Sequence, residues 1–218
     1  MPILYIAAPI FLRIPKGSLQ LLTSIAVVAI HGRRVSRYEI LVFLHIAAAI
    51  IWLGAGFVIS VLVLEAERHG DRARMAGYHA DVGTLAPKLF IPASLGTFVL
   101  GLLLVADGPW TIGALWIVIA LAGWLVSFLL GILYFRPEGE RITEIVAARG
   151  LDDPEFAARA HRLNIVDRVQ VTILFLVVLD MVGKPGSGDG SLIAVMLVVL
   201  GVALALAAAA VRRPSPLH

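Results

Sequence analysis

The sequence predicts an all-α integral membrane helical bundle, with four core transmembrane helices and a C-terminal fifth. Three observations predict it. Of 218 residues, 60% are hydrophobic and only 15% are charged, and the apolar residues come in long uninterrupted runs. A water-soluble domain of this size is about a quarter charged and under half apolar. A helix crosses the hydrocarbon with roughly 20 apolar residues at 1.5 Å each. The expected solvent, and first partner, is a lipid bilayer.

Five segments are candidates to span. Residues 38–64 hold one ionisable side chain inside the run, His45. Residues 90–106 follow, with Pro87, Lys88 and Pro92 at their entrance, and residues 110–135 carry no charge. Residues 169–182 and 191–211 complete the set. The first, third and fifth are long enough outright; the second and fourth need amphipathic extensions. The fourth has one, because Asp153-Pro154-Glu155 reads as an N-cap carboxylate, a proline at the first helical position and an acidic first turn. No breaker follows until Gly183. A separate helix is expected over 138–149, stopped by Gly150 as a C-cap. Gly70 and Asp71 mark a stop and a restart after the first span, and the polar stretch to Ala86 reads as helical.

Arginine and lysine set the expected orientation. The loop after span one has Arg68, Arg72, Arg74 and Lys88, and the loop after span three has Arg136, Arg141, Arg149, Arg159 and Arg162. The turns after spans two and four have none and Lys184. Positive-inside logic places loops one-two and three-four, with the C-terminus, in the cytoplasm. The Ala, Val and Arg richness suggests a GC-rich genome, so a bacterial cytoplasmic membrane is the expected location. Residues 1–36 fit badly, because Arg13, Lys16, Arg33, Arg34 and Arg37 would all be external. Two readings stand: an interfacial or re-entrant segment, or a start assigned upstream of a native one near Val35, which is favoured. A native peptide covering Leu21 to Arg33 would refute the second. The expected organisation is therefore 1–36 as a doubtful segment, 37–185 as the four-helix membrane domain, and 186–218 as the fifth helix and tail.

Several function classes fall away. The chain has no cysteine, which removes disulfides, zinc–thiolate sites, iron–sulfur ligation and thiol catalysis. A sequence pI near 9.6 could point to nucleic acid, but the arginines flank apolar runs, so membrane topology explains them and no nucleic acid is expected. No phosphate-binding glycine loop, HExxH or Ser/His/Asp order is present. No internal repeat stands out, which counts against transporters built from duplicated halves.

His45 is the most informative position. An ionisable group in a spanning helix is costly and faces the bundle or a cavity. It sits about two turns, roughly 10 Å, below the outer boundary, and Ala49, Trp52 and Gly56 share its face. It is a ligand to haem iron or copper, a proton-handling group, or a neutral imidazole hydrogen-bonded to a neighbouring helix. Asp180 is the second intramembrane charge, at a similar depth, with Lys184 at i+4. It either pairs with Lys184 or orients or protonates His45 as part of a cofactor site. A second histidine at that depth is lacking, since His79 and His161 fall toward the opposite side. Arg168 reads as an interfacial anchor and His161 as part of a solvated stripe. Gly123, Ser127 and Gly131 repeat every four residues, a small-residue stripe for helix packing.

Residues 39–54, with His45, Trp52 and Gly54, resemble the first helix of an uncharacterised bacterial family of predicted integral membrane proteins. Lys88-Leu-Phe-Ile-Pro92 with Gly96, Gly131 to Pro137, and Asp180-Met-Val-Gly-Lys184-Pro185 resemble its later segments, covering residues 37–185. The first two segments are more distantly similar to HemJ-type protoporphyrinogen oxidases and CopD copper-resistance membrane proteins. That similarity implies haem b as cofactor and His45 as its ligand. A lysine the HemJ-type pattern has on the third helix is missing from residues 110–135, which counts against porphyrinogen oxidation. Copper would want Met or Cys ligands, and beyond Met181 no methionine cluster exists. The functional expectation is a cofactor-associated membrane protein using His45. The competing expectation is a non-catalytic assembly partner, a homo-oligomer or a companion of other membrane proteins, held through the span-three stripe.

Overall fold

A computed structural model describes residues 35–212, and the expectations for residues 1–34 lie outside the described residues. The described elements are all helical. Helix α1 (Arg37–Arg68) opens with a capping box, in which the Glu39 N–H donates to Ser36 Oγ at 3.2 Å and the Ser36 N–H donates to Glu39 Oε2 at 2.9 Å. It ends where Gly70 takes φ +66°. Asp71 then caps α2 (Arg72–Leu85), accepting the Arg74 N–H at 3.0 Å. The stop and restart at Gly70 and Asp71 stand as the sequence predicts.

Helix α2 does not end before the second span. It passes through one π-helical turn (Ala86–Phe90) into α3 (Ile91–Asp107), making a rod of 36 residues. The same happens later: α4 (Leu115–Leu130) continues through a π turn (Gly131–Phe135) into α5 (Arg136–Arg149), a rod of 35 residues. This corrects two expectations, a separate helix over 138–149 and a third span beginning at residue 110. Prolines account for the first. In each rod the residue before a proline, Ile91 or Arg136, donates its N–H five residues back, to Ala86 O or Gly131 O. A proline inside a helix collides with the carbonyl four residues back. Widening one turn relieves the collision without ending the helix. Pro137 therefore does not end the helix; the wide turn absorbs it.

The remaining elements are α6 (Pro154–Gly183, 30 residues) and α7 (Gly190–Val211, 22 residues). Gly150, at φ +85°, ends α5, and Asp153 caps α6 by accepting the Glu155 N–H at 2.8 Å. Four rods are long and apolar enough to cross a membrane: α1, α2–α3, α4–α5 and α7. Helix α6 carries Asp167, Arg168 and Asp180 within its apolar half, yet it too runs the length of the bundle. At 1.5 Å per residue it covers about 45 Å. Its far end returns to the start of α4, where the Lys184 ammonium lies 4.3 Å from the Trp110 ring centroid. It tolerates the charges because it packs between α4 and α7.

Burial divides the bundle in two. Along the spans, Phe43, Leu133 and Val182 are 69%, 69% and 77% exposed, as side chains solvated by acyl chains are. At the end that carries the basic loops, Val63, Met75, Ile142, Ile145, Phe156, Ala160 and Leu163 form a closed core. This charged-end layer is built from the helical extensions of α1, α2, α5 and α6 beyond the apolar runs.

Of the span-three stripe, Gly123 faces α6 of the same chain, where an added Cβ would collide with Val177. Ser127 is buried, and Gly131 has open space beside it. The close approach at Gly123 is therefore internal.

Candidate functional site

Two places gather the polar side chains. The first is His45, in the apolar stretch of α1. Its Nδ1 lies 2.9 Å from the Thr97 carbonyl oxygen of α3. A carbonyl only accepts, so Nδ1–H donates, and in the uncharged imidazole Nε2 keeps the lone pair. The ring lies against Gly101, where an added Cβ would stand 3.2 Å from Cε1. One turn on, Ala48 meets Gly96 at Cβ distance 3.8 Å, and Gly56 meets the Phe90 ring at 3.9 Å. Small residues on both helices thus bring α1 close enough to α3 for the bond. Helix α3 is fixed in turn to α4 by Trp124, whose Nε1–H donates to Ser94 O and Oγ at 3.1 Å each and whose ring stacks on Phe98 at 4.1 Å.

Asp180 is fully buried, and neither carboxyl oxygen has a hydrogen-bond partner among the described residues. The expected Asp180–Lys184 ion pair does not form. Lys184 takes left-handed backbone, its N–H caps α6 on Asp180 O at 2.7 Å, and its ammonium sits over Trp110. Asp180 lies three residues from Val177, on the face of α6 turned to α4, whereas His45 bonds to α3. No hydrogen bond joins the two.

The second place is in the charged-end layer, and sequence reasoning missed it. Glu67, 4% exposed, receives His161 Nδ1 at 2.6 Å on Oε1 and the Arg168 guanidinium on Oε2. Ser60 bonds Asp167 beside it, and Asn164 Nδ2 donates to Met75 Sδ at 3.5 Å. His79 is 7% exposed; burial pushes its imidazole down to about 4, against the pull of the Glu67 carboxylate. Nε2 of His79, Nε2 of His161 and Oδ1 of Asn164 are buried without partners among the described residues. His161 thus lies on the inner side of α6 rather than in a solvated stripe, and Arg168, its side chain still partly exposed, is tied to the same carboxylate at the end of α1. The i, i+7 spacing of the two basic groups was the available signal. Their acidic partner lies 94 residues away.

Around this layer Arg149 and Arg159 bracket Glu155 at 2.5 Å and 2.8 Å, and Arg159 reaches Glu138 at 2.9 Å. Hydrogen bonds from the two guanidinium groups hold the Glu155 carboxyl down to about 2. These pairs close the α5–α6 corner. Among the described residues, no three His, Asp or Glu side chains stand where they could share one metal ion. What the charged-end cluster does is lock α1, α2 and α6 together; what His45 offers is one oriented imidazole in an apolar setting.

Lipid-facing apolar rods, a polar layer at one end and few charges between define a multi-pass helical integral membrane protein. Within that class the chain belongs to the family described as predicted integral membrane protein (DUF2269), whose model matches residues 39–185. No curated protein and no solved structure matches the chain.

Proposed function

We propose that this is a multi-pass protein of a bacterial plasma membrane that binds haem b, or a cofactor of the same chemistry, through His45 Nε2. The observation that carries the reading is the 2.9 Å bond from His45 Nδ1 to Thr97 O. Histidines that ligate metals almost always donate the other ring N–H to a carbonyl or carboxylate, which fixes the tautomer and raises the basicity of the ligating nitrogen. The donor set therefore fits one imidazole ligand. The other described histidines, His69, His79 and His161, lie at the charged end, so any further ligand would be another residue type. When bound, haem supplies one-electron or oxygen chemistry. The chain supplies the ligand, its orientation through Thr97 and Gly101, and an apolar surround from which water is excluded. Asp180, turned to α4, takes no part in ligation here.

The likeness of the first helix to the HemJ-type and CopD patterns supports His45, and the missing span-three lysine argues for an activity other than porphyrinogen oxidation. The positive-inside rule supports a cytoplasmic charged end, with His45 nearer the outer face. The alternative, a non-catalytic assembly partner, draws less support from the span-three stripe, because Gly123 is used within the chain while Gly131 stays open. Hemin titration of the purified protein tests the reading. A Soret band that disappears in His45→Ala is expected. A wild-type protein that gives no band, or a band that survives in His45→Ala, would refute it.

A further inference from the structure

We infer that Gly101 is the positioning residue that sets the tautomer of His45, because its missing side chain bares the Thr97 carbonyl to Nδ1. Within an α-helix, the side chain four residues after a carbonyl stands beside that oxygen, which is why serine and threonine hydroxyls bond four residues back. Helix α3 displays this geometry one turn earlier, where Thr97 Oγ1 donates to Ala93 O at 2.8 Å. Residue 101 holds the same relation to Thr97 O. Being glycine, it leaves the oxygen open from the side, and His45 enters there.

The distances make the same point. A Cβ on residue 101 would stand 3.2 Å from His45 Cε1 and 3.5 Å from Nδ1. At the first distance the ring must give by a few tenths of an ångström, and the second places the methyl beside the donating nitrogen. Gly96 lies on the same α1–α3 contact, but a Cβ there meets only Ala48 Cβ at 3.8 Å, an ordinary contact. The two glycines therefore differ in kind: Gly96 admits the helix, and Gly101 admits the imidazole. With the ring pushed off its seat by that methyl, the bond from Nδ1 to the Thr97 carbonyl lengthens, and the proton is held less firmly on Nδ1.

This inference deepens the reading of His45 as a ligand, and the tautomer can be read in the cofactor-free chain. The full-length protein in lipid bilayers, with its histidines labelled by the heavy nitrogen isotope, is measured by solid-state NMR, and His45 is assigned by its loss in His45→Gln. Wild type shows Nδ1 protonated and Nε2 bare; Gly101→Ala loses that pattern, and Gly96→Ala keeps it. A wild-type His45 protonated on Nε2 overturns the inference, as does an unchanged pattern in Gly101→Ala or an equal change in Gly96→Ala. Should Gly101→Ala fail to fold, the double variant His45→Ala/Gly101→Ala removes the ring that the new methyl meets. Recovery of folding supports the inference, and continued failure overturns it. In hemin titrations Gly101→Ala should weaken binding about 10- to 100-fold, the usual effect of losing an outer-shell partner. A wild type with the Nδ1–H pattern that binds no hemin defeats the cofactor reading and leaves this one standing.

Discussion

Phe156 and Leu133 are both large apolar side chains on long helices; the first is fully buried and the second is 69% exposed. The difference follows from the medium. Leu133 lies in an apolar stretch, where an acyl chain solvates it as well as a neighbouring leucine would, so nothing drives it inward. Phe156 lies beyond the apolar runs, among Arg149, Glu155 and Arg159. Water surrounds that layer, and burying the ring is favourable by about 2–3 kcal/mol. One chain thus contains two kinds of packing. The spans are held by close approaches at small residues and a few directed polar bonds. The charged-end layer is held like a water-soluble core, with a polar lock inside it.

Mutations can break that contrast. The largest effect is expected from Glu67→Ala, which strands the Arg168 guanidinium and the His161 ring in the charged-end layer. Removing one partner of a buried pair costs about 3–5 kcal/mol, and the low end applies because the Arg168 side chain is 41% exposed. Denaturant unfolding in detergent checks it, and Arg168→Met in the same chain should restore part of the loss. Next is acid. His79 binds its proton at about 4 when folded and near the ordinary histidine value when unfolded. Between those values the unfolded layer holds more protons, so stability falls as pH drops from about 6.5 through 4, by about 3 kcal/mol when complete. His79→Gln should flatten that slope. The Glu155 pairs add to the loss only at the acid end of this window, where the unfolded carboxyl takes up protons while the folded one, held at about 2, stays charged.

Smaller effects belong to the lipid-solvated half. Gly123→Val drives a methyl into Val177 and should cost about 1–3 kcal/mol, as overpacking does. Trp124→Phe keeps the ring stack on Phe98 and removes the bonds to Ser94; about 0.6–1.5 kcal/mol is expected, the range for hydrogen bonds inside membranes. If Trp124→Phe proved more damaging than Glu67→Ala, the ranking of the two regions would be wrong.

The two regions were unequally legible. The spans could be read because lipid demands long apolar runs, and α7 matches residues 191–211 to within one residue. Helix ends at Gly70, Asp71, Gly150 and Asp153 were legible because capping is local chemistry. The π turns were not, since a proline looks the same whether it ends a helix or widens it. Nor was the charged-end layer, whose contacts join residues about a hundred positions apart, as Glu67 and Arg168 do. The amphipathic stretches read as helical, but which of them pack on one another could not be read from any one of them. His45 stood out as an isolated histidine in an apolar helix, but its orientation depends on Thr97 and Gly101, and nothing within one helix points to them.

The division into lipid-solvated and water-solvated parts can be tested most directly by cysteine accessibility, because the chain has no cysteine of its own. Single cysteines placed at Phe43, Val99, Leu125 and Leu206, all exposed in the fold, are treated with a membrane-impermeant maleimide in membrane fragments open to reagent on both faces. The account predicts that these four stay unlabelled until detergent is added, whereas cysteines at Glu140 and Glu144 react at once. Prompt labelling at the four apolar positions would contradict it.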